Sequence, residues 1–263
     1  IDPYKILNIM TYYTLDLKIE SSMATVSLNR PDVRNAMNET MMEDLKSCFN
    51  LISTLDEVRL VILQGIGPSF SAGGDLQMMK DSGGQTQEQN IVGTRLLSEM
   101  YQSIDHCSKP ILGVVHGHAF GGGFGLCCVC DIVIAEEKTI FSLSEVLIGL
   151  IPAVIAPYAE NKIGKSWFRA LGISGERFDA TFAEKIGLIH YSVKENEIAM
   201  MTDHIIKQVL KGGPISQAKF KEYLRNMPSE DSANVIAEIR ASEEGQEGLS
   251  AFLEKRKPNW IKD

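Results

Sequence analysis

The run Ile111-Leu112-Gly113-Val114-Val115, the turn Gly121-Gly122-Gly123 and the small-residue segment 125–130 together decide how this chain folds. An apolar, strand-like run that enters a glycine turn and then a helix start brings bare backbone N–H groups to an open surface. Such groups stabilise an anion, either a bound phosphate or an oxyanion formed during a reaction. A glycine-rich helix start selected for close packing is the plainest alternative. The phosphate reading fits the residues poorly. A P-loop needs a glycine five residues ahead of Gly-Lys-Ser/Thr, and Gly164-Lys165-Ser166 has Ala159 at that place. The dinucleotide spacing Gly-x-Gly-x-x-Gly is also missing, since Gly121-x-Gly123 stands without a third glycine in register.

A second turn of the same kind is Phe70-Ser71-Ala72-Gly73-Gly74-Asp75-Leu76, which follows Leu60-Val61-Ile62-Leu63 and Gly67-Pro68. Asp75 suits the N-terminus of a following helix, where a carboxylate accepts the free N–H groups. One such turn is loop punctuation. Two of them, each behind a β-like run, suggest two N–H donors converging on one oxygen.

Outward from these turns the pattern is α/β. Residues 15–20 and 24–28 alternate around Ser21-Ser22 as a hairpin. The spacing of Met41, Met42, Leu45, Cys48 and Phe49 predicts a helix over 38–51. Strands are expected at 58–63, 111–115 and 132–135. From about Asn196 the pattern turns helical, with helices at 198–210 and 215–225, a break at Gly212-Gly213-Pro214, and two charged helices through Lys255.

A chain of 263 residues that is 44% hydrophobic can bury a sizeable core. Its formal charge of −8 disfavours broad nucleic-acid binding, and no apolar run approaches the ~20 residues that span a bilayer. No secretory leader pattern stands at the N-terminus and Met10 reads as a natural start, so the chain is expected to be cytoplasmic. The five cysteines agree with a reducing compartment. Cys127-Cys128-Val129-Cys130 holds a Cys-x-x-Cys spacing, but no second pair completes a zinc set. His116 and His118 are the nearest additional ligands, on the far side of the glycine turn. Buried thiols on a packed helix explain the cysteines better, and no metal is expected.

An oxyanion hole needs a proton-handling group beside it. Glu145 lies between Phe141-Ser142-Leu143 and Val146-Leu147-Ile148, so desolvation would raise its pKa towards working pH. It also reads as a first-turn carboxylate of a short helix with Ser144 as cap. Asp131 reads as a strand-start cap.

The segments Asn29-Arg30-Pro31, Arg34-Asn35-Ala36-Met37-Asn38, 70–76, His116-Gly117, 121–123, Ser144-Glu145 and Gly149-Leu150-Ile151-Pro152 resemble, in order, the crotonase (enoyl-CoA hydratase/isomerase) superfamily from about Leu15 to the C-terminus. The resemblance implies a spiral of ββα turns over 10–195 and a helical trimerisation region over 196–263. It implies an acyl-CoA thioester substrate whose carbonyl is held by the N–H groups of Gly74 and Gly122, with Glu145 as acid/base. It also implies a homotrimer or dimer of trimers, no nucleic acid and no membrane, and no cofactor beyond the coenzyme A of the substrate. By the same resemblance Arg34, Ala36 and Ala72 belong to the CoA cradle, and Asp75 and Leu76 of the second turn are expected to bind substrate. Phe124 and Leu150 line the acyl pocket or serve as core. Lys255 and Arg256 reach a neighbouring subunit's CoA or form a solvated helix face.

One position departs from the pattern. Hydratases of the best-known type resemble Gly-Gly-Gly-x-Glu-Leu, whereas this chain has Gly123-Phe124-Gly125-Leu126. The first of two catalytic carboxylates is missing. One carboxylate suffices for Δ3,Δ2-isomerisation, and decarboxylation needs only the oxyanion hole. Yet Leu143-Ser144-Glu145-Val146, residues 149–158, Glu176-Arg177-Phe178-Asp179-Ala180 and residues 252–258 resemble a subgroup of methylglutaconyl-CoA or carboxygeranoyl-CoA hydratases that also carries Gly-Gly-Gly-x-Gly-Leu. That subgroup belongs to leucine or acyclic terpenoid breakdown. The expected activity is therefore enoyl-CoA hydration on a single Glu, with isomerisation next, then decarboxylation. A non-catalytic, RNA-binding relative is disfavoured by the acidic balance and the lack of a Lys/Arg run with interleaved aromatics.

Overall fold

The hairpin is present, and both residues of its turn take positive φ, Ser21 at 50° and Ser22 at 66°. That conformation matches the twist of a two-residue hairpin loop. It joins β1 (Leu15–Glu20) to β2 (Met23–Leu28) in an antiparallel register that pairs Leu15 with Leu28. The computed structural model describes residues 11–227, 229 and 231–261. The expected start at Met10 and the residues before it lie outside the described residues.

From β2 onward the main sheet is parallel. Its order is β1-β2-β3-β4-β6-β9, with β3 at Leu60–Gly65, β4 at Ile111–Val115, β6 at Ile132–Glu136 and β9 at Tyr191–Val193. Parallel neighbours need long crossovers, and helices supply them. The predicted helix is α1 (Glu39–Ser53), capped by Asn38, whose side chain accepts from Met41 N–H at 3.0 Å. Short α2 (Leu76–Ser82) is followed by α3 (Gln87–Asp105), which begins at a Thr86/Gln89 capping box. With both faces covered, β3 and β4 read as near-continuous apolar runs rather than alternating ones.

A second sheet, β5-β7-β8, comprises His118–Phe120, Ile140–Ser142 and Arg177–Asp179. Between β5 and β6 lies α4 (Gly122–Val129), buried from Gly123 onward. The segment Ala156–Ser174 forms α5, interrupted at Gly164 by non-helical backbone (φ 73°, ψ 155°), and α6 is Ala180–Lys185. The helical C-terminal part is α7 (Ile198–Val209), α8 (Pro214–Asn226), α9 (Ser232–Ala241) and α10 (Glu243–Leu253). α7 is not separate from the sheet, because Ile205 packs with Leu60, Leu112 and Ile134 on one face. α8 is tied on by Lys221, which reaches Asp131 at 2.5 Å, and by Arg225, which donates to the Asp105 C=O at 2.8 Å. Asp131 also accepts the Ile111 N–H at 2.7 Å, so it caps the start of β4.

All five cysteines are free and buried. The thiols of Cys127 on α4 and of Cys130 at its C-cap donate back to the Gly123 and Leu126 carbonyls one turn earlier. His116 Nε2 lies 2.8 Å from the Gly67 C=O and His118 Nδ1 lies 3.0 Å from the Ser69 hydroxyl. Among the described residues no three His, Cys, Asp or Glu side chains converge on a common metal position. None of the described helices is long and apolar enough to cross a membrane.

Candidate active site

Two isolated parallel bridges bring the glycine turns together: Met37 with Gly74, and Ser71 with Ala119. In the first, Met37 N–H donates to Gly73 C=O at 2.7 Å and Asp75 N–H donates to Met37 C=O at 2.9 Å. A residue paired this way turns its own N–H to the opposite side. In the second, Ser71 N–H donates to His118 C=O at 3.0 Å and Phe120 N–H donates to Ser71 C=O at 3.1 Å. The result is tight. A Cβ on Gly73 would stand 2.8 Å from the Phe120 carbonyl oxygen and 3.6 Å from the Gly122 nitrogen.

Gly122 opens α4, and the first N–H groups of a helix have no partner inside it. No side chain caps this end, because the N-cap is Gly121 at φ 47°. Side chains on the two glycines carrying the free N–H groups would run into methyl groups, that of Met79 at Gly74 and that of Met37 at Gly122. A side chain at either position would have to push a methionine methyl aside.

The loop that carries Gly74 is held by Asn35. Arg34 and Asn35 both adopt left-handed backbone, at φ 52° and 54°. The fully buried Asn35 amide donates to the Ile66 and Ser69 carbonyls at 2.9 and 2.8 Å and accepts the Arg30 N–H at 2.8 Å. Its own C=O accepts the Ser71 hydroxyl at 2.8 Å. Asn35 was visible in the sequence only as part of a motif. An asparagine in a short polar turn signals left-handed backbone, but the two carbonyls its amide donates to, Ile66 and Ser69, are remote in sequence.

Glu145 arrives from the second sheet. The parallel pairing of β5 with β7 sets Phe120 opposite Ser142, and Gly121 N–H donates to Ser142 C=O at 2.9 Å. Three residues on, Glu145 sits in a 3-10 turn, Ser144–Ile148, which ends at left-handed Gly149. Ser144, expected as the cap, is instead the first residue of the turn. Leu143 holds the cap position, and no side chain caps it. A Cβ on Gly121 would stand 3.1 Å from Glu145 Oε1, whereas buried Oε2 has no hydrogen-bond partner. Burial raises the Glu145 carboxyl above the usual carboxylate range, opposed in part by its own N–H. A partly desolvated carboxyl with a free oxygen beside two free N–H donors can move a proton at an atom adjacent to a polarised carbonyl.

The remaining expected residues fall at various distances from this centre. Arg34 is exposed and gives its C=O to Ala72 N–H at 2.9 Å. Buried Ala36 accepts an Arg30 guanidinium N–H on its C=O at 2.5 Å. Asp75 caps α2 through Gln77 and Met78 N–H and pairs with Arg30 at 2.9 Å. Leu76 is 82% and Leu150 53% exposed, whereas Phe124 is fully buried and meets Phe178 edge-on at 6.4 Å. Lys255 is exposed beyond α10, and Arg256 is engaged by Glu247 and Glu254.

Residues 18–263 match the family model described as enoyl-CoA hydratase/isomerase. The chain belongs to this family. A crystal structure of an enoyl-CoA hydratase from Shewanella pealeana has a TM-score of 0.91 at 34% identity, covering 99% of this chain and 100% of that one. The mevalonyl-coenzyme A hydratase sidH of Aspergillus fumigatus is 31% identical over 89% of this chain and 90% of its own length. A crotonyl-CoA hydratase from Syntrophomonas wolfei is 28% identical over 96% and 99%. The fold is therefore the crotonase fold of enoyl-CoA hydratases and isomerases, enzymes that act on acyl-CoA thioesters.

Proposed function

We propose that this protein adds water across the C2=C3 double bond of an enoyl-CoA thioester. The observation that carries this reading is Glu145 Oε2, buried and unpartnered at the glycine turn. The N–H groups of Gly74 and Gly122 hold the thioester oxygen. The Glu145 carboxylate takes a proton from water as the water oxygen bonds to C3 and the electron pair moves to the thioester oxygen. The same carboxyl then returns the proton to C2 as the enolate collapses, so the net addition is one water.

An isomerase is the second reading, supported by Gly125. A Cβ there would lie 2.5 Å from Ile155 Cγ2 and 2.8 Å from Tyr101 Oη, so the position has no room for a second carboxylate. Shuttling one proton from C2 to C4 of a 3-enoyl-CoA needs Glu145 alone.

The acyl group is proposed to carry a distal carboxylate, as in a methylglutaconyl-CoA-like substrate. This is supported by a groove of about 410 Å³ lined by Ile91, Thr94, Arg95, Ser98, Ala153 and Val154. It lies along α3 one turn before Tyr101, and Arg95 supplies a cation within it. Assembly as a trimer or dimer of trimers through residues 196–263 is proposed as well. Exposed apolar side chains at Phe220, Leu224, Phe252 and Leu253 support it. The free, buried thiols suit a reducing, cytoplasmic setting.

The test is to offer crotonyl-CoA, 3-methylglutaconyl-CoA and a 3-enoyl-CoA separately and identify each product. Hydrated product, with 3-methylglutaconyl-CoA preferred, is expected. Isomer without hydrated product establishes the second reading, and no turnover of any of them overturns both.

A further inference from the structure

The start of α4 is built from Gly121, Gly122 and Gly123 with no capping side chain, yet an oxyanion hole works only if its donors are held in place before charge develops. Glycines cannot hold themselves in place, because they have the greatest backbone freedom of any residue. Gly125 N–H holds the Gly121 C=O of the donor peptide at 3.0 Å, and a second anchor, on the following peptide, comes from α3. The hydroxyl of fully buried Tyr101 donates to the Gly122 C=O at 2.6 Å. Cβ atoms on Gly122 and Gly125 would stand 3.2 and 2.8 Å from that same hydroxyl oxygen. One phenol therefore lies against both glycines, sharing the space with the Met37 methyl at Gly122 and Ile155 Cγ2 at Gly125. Its ring is fixed in turn by Tyr158, 5.9 Å away between centroids. Burial pushes the Tyr101 hydroxyl well above its ordinary range, with the Cys128 thiol and the Glu145 carboxyl adding to the effect. The group stays protonated and remains a donor.

We propose that Tyr101 is a positioning residue of the oxyanion hole, gripping the Gly122 carbonyl to aim the Gly122 N–H while barring any side chain at Gly125. It acts through Gly122 and touches no reacting atom. Together with Ile155 it also leaves no room for a carboxylate at Gly125, so the tyrosine that sets the donor geometry helps keep Glu145 without a second acid there. This inference rests on the acyl-CoA reading above.

Tyr101→Phe keeps the ring and removes the donor. Turnover is measured on whichever enoyl-CoA the wild-type protein converts. Binding is followed with a dimethylaminocinnamoyl-CoA, whose absorption moves to longer wavelength as its carbonyl is polarised. The expected result is a fall in kcat of about tenfold, a fraction of the 10²–10³ lost when a donor is deleted outright. KM should change little, and the bound probe should show a smaller red shift. A tyrosine needed only for packing would lower the melting temperature and leave the red shift and the kcat-to-KM split unchanged. Gly125→Ala is the companion variant. Its methyl displaces the hydroxyl without deleting it, and the same loss of red shift is expected. If a folded Tyr101→Phe or Gly125→Ala protein keeps the wild-type shift and kcat, the positioning role is wrong. If the wild-type protein neither shifts the probe nor turns over an acyl-CoA, the functional reading itself fails.

Discussion

The carboxyl of Glu145 rests against the bare Cα of Gly121, where an added Cβ would stand 3.1 Å from Oε1. This contact joins the carboxyl to the residue that precedes a free N–H, so the proposed proton-handling group and one proposed oxyanion donor share one support. Gly121 is also at φ 47°, a conformation that side chains disfavour. Its lack of a side chain therefore serves backbone and site together.

Glu145→Gln keeps the shape and removes the base. Turnover is expected to fall by about 10²–10⁴ while acyl-CoA binding persists, as read by steady-state rates and calorimetry. In the wild-type protein the acid limb of the kcat profile should lie above the usual carboxylate pKa of about 4.3, because burial raises this group. Stability follows the same sign. The folded state binds this proton more tightly than the unfolded state, so ionisation destabilises the fold as pH rises through the raised pKa. Glu145→Gln should therefore melt higher than wild type at neutral pH, with the gap closing as pH falls towards 4.

Gly122→Pro deletes one N–H at the first position of α4, where the helix backbone accepts proline, and its ring must push the flexible Met37 methyl aside. Loss of such a donor costs about 10²–10³ in rate. A kcat decrease of that size, in protein whose melting temperature confirms folding, is expected. Full activity in a folded variant would remove Gly122 from the oxyanion hole.

Asp75 shows how the second turn is held. Burial alone would raise its carboxyl, but Arg30 and the N–H groups of Met78 and Gln77 outweigh it and keep the carboxyl below the usual range. Asp75→Asn retains a capping oxygen and loses the ion pair with Arg30. A loss of about 1–3 kcal/mol is expected at neutral pH. A depressed folded pKa contributes stability above the unfolded value of about 3.9 and loses it as pH falls. Thermal melts of the two proteins should converge at low pH.

The thiols are predicted to be inert while the chain is folded. Burial pushes both Cys48 and Cys130 up to about 12, and it also raises Cys127 and Cys128. The thiolate is the reactive form. Alkylation under native conditions should track global unfolding, and rapid labelling of folded protein would contradict the buried α4.

Residue order alone placed the hairpin, α1, β3, β4, β6 and the C-terminal helices, but not α3, α5 or the second sheet. Runs such as Ile111–Val115 and the spacing of Met41, Leu45 and Phe49 report burial directly, and Asp75 caps its helix in the expected way. The two glycine turns and a carboxylate among apolar neighbours were legible for the same local reason. Tertiary structure decided what meets what. Periodicity says which face is buried but not against which partner, so it could not pair Ser71 with Ala119 or place Oε1 beside Gly121. It left Phe124 open between pocket and core, where burial against Phe178 places it in the core. It also showed Gly125 only as a missing carboxylate. The fold shows that position filled by Tyr101, a residue from a distant helix whose hydroxyl finds its acceptor only when α3 and α4 pack together.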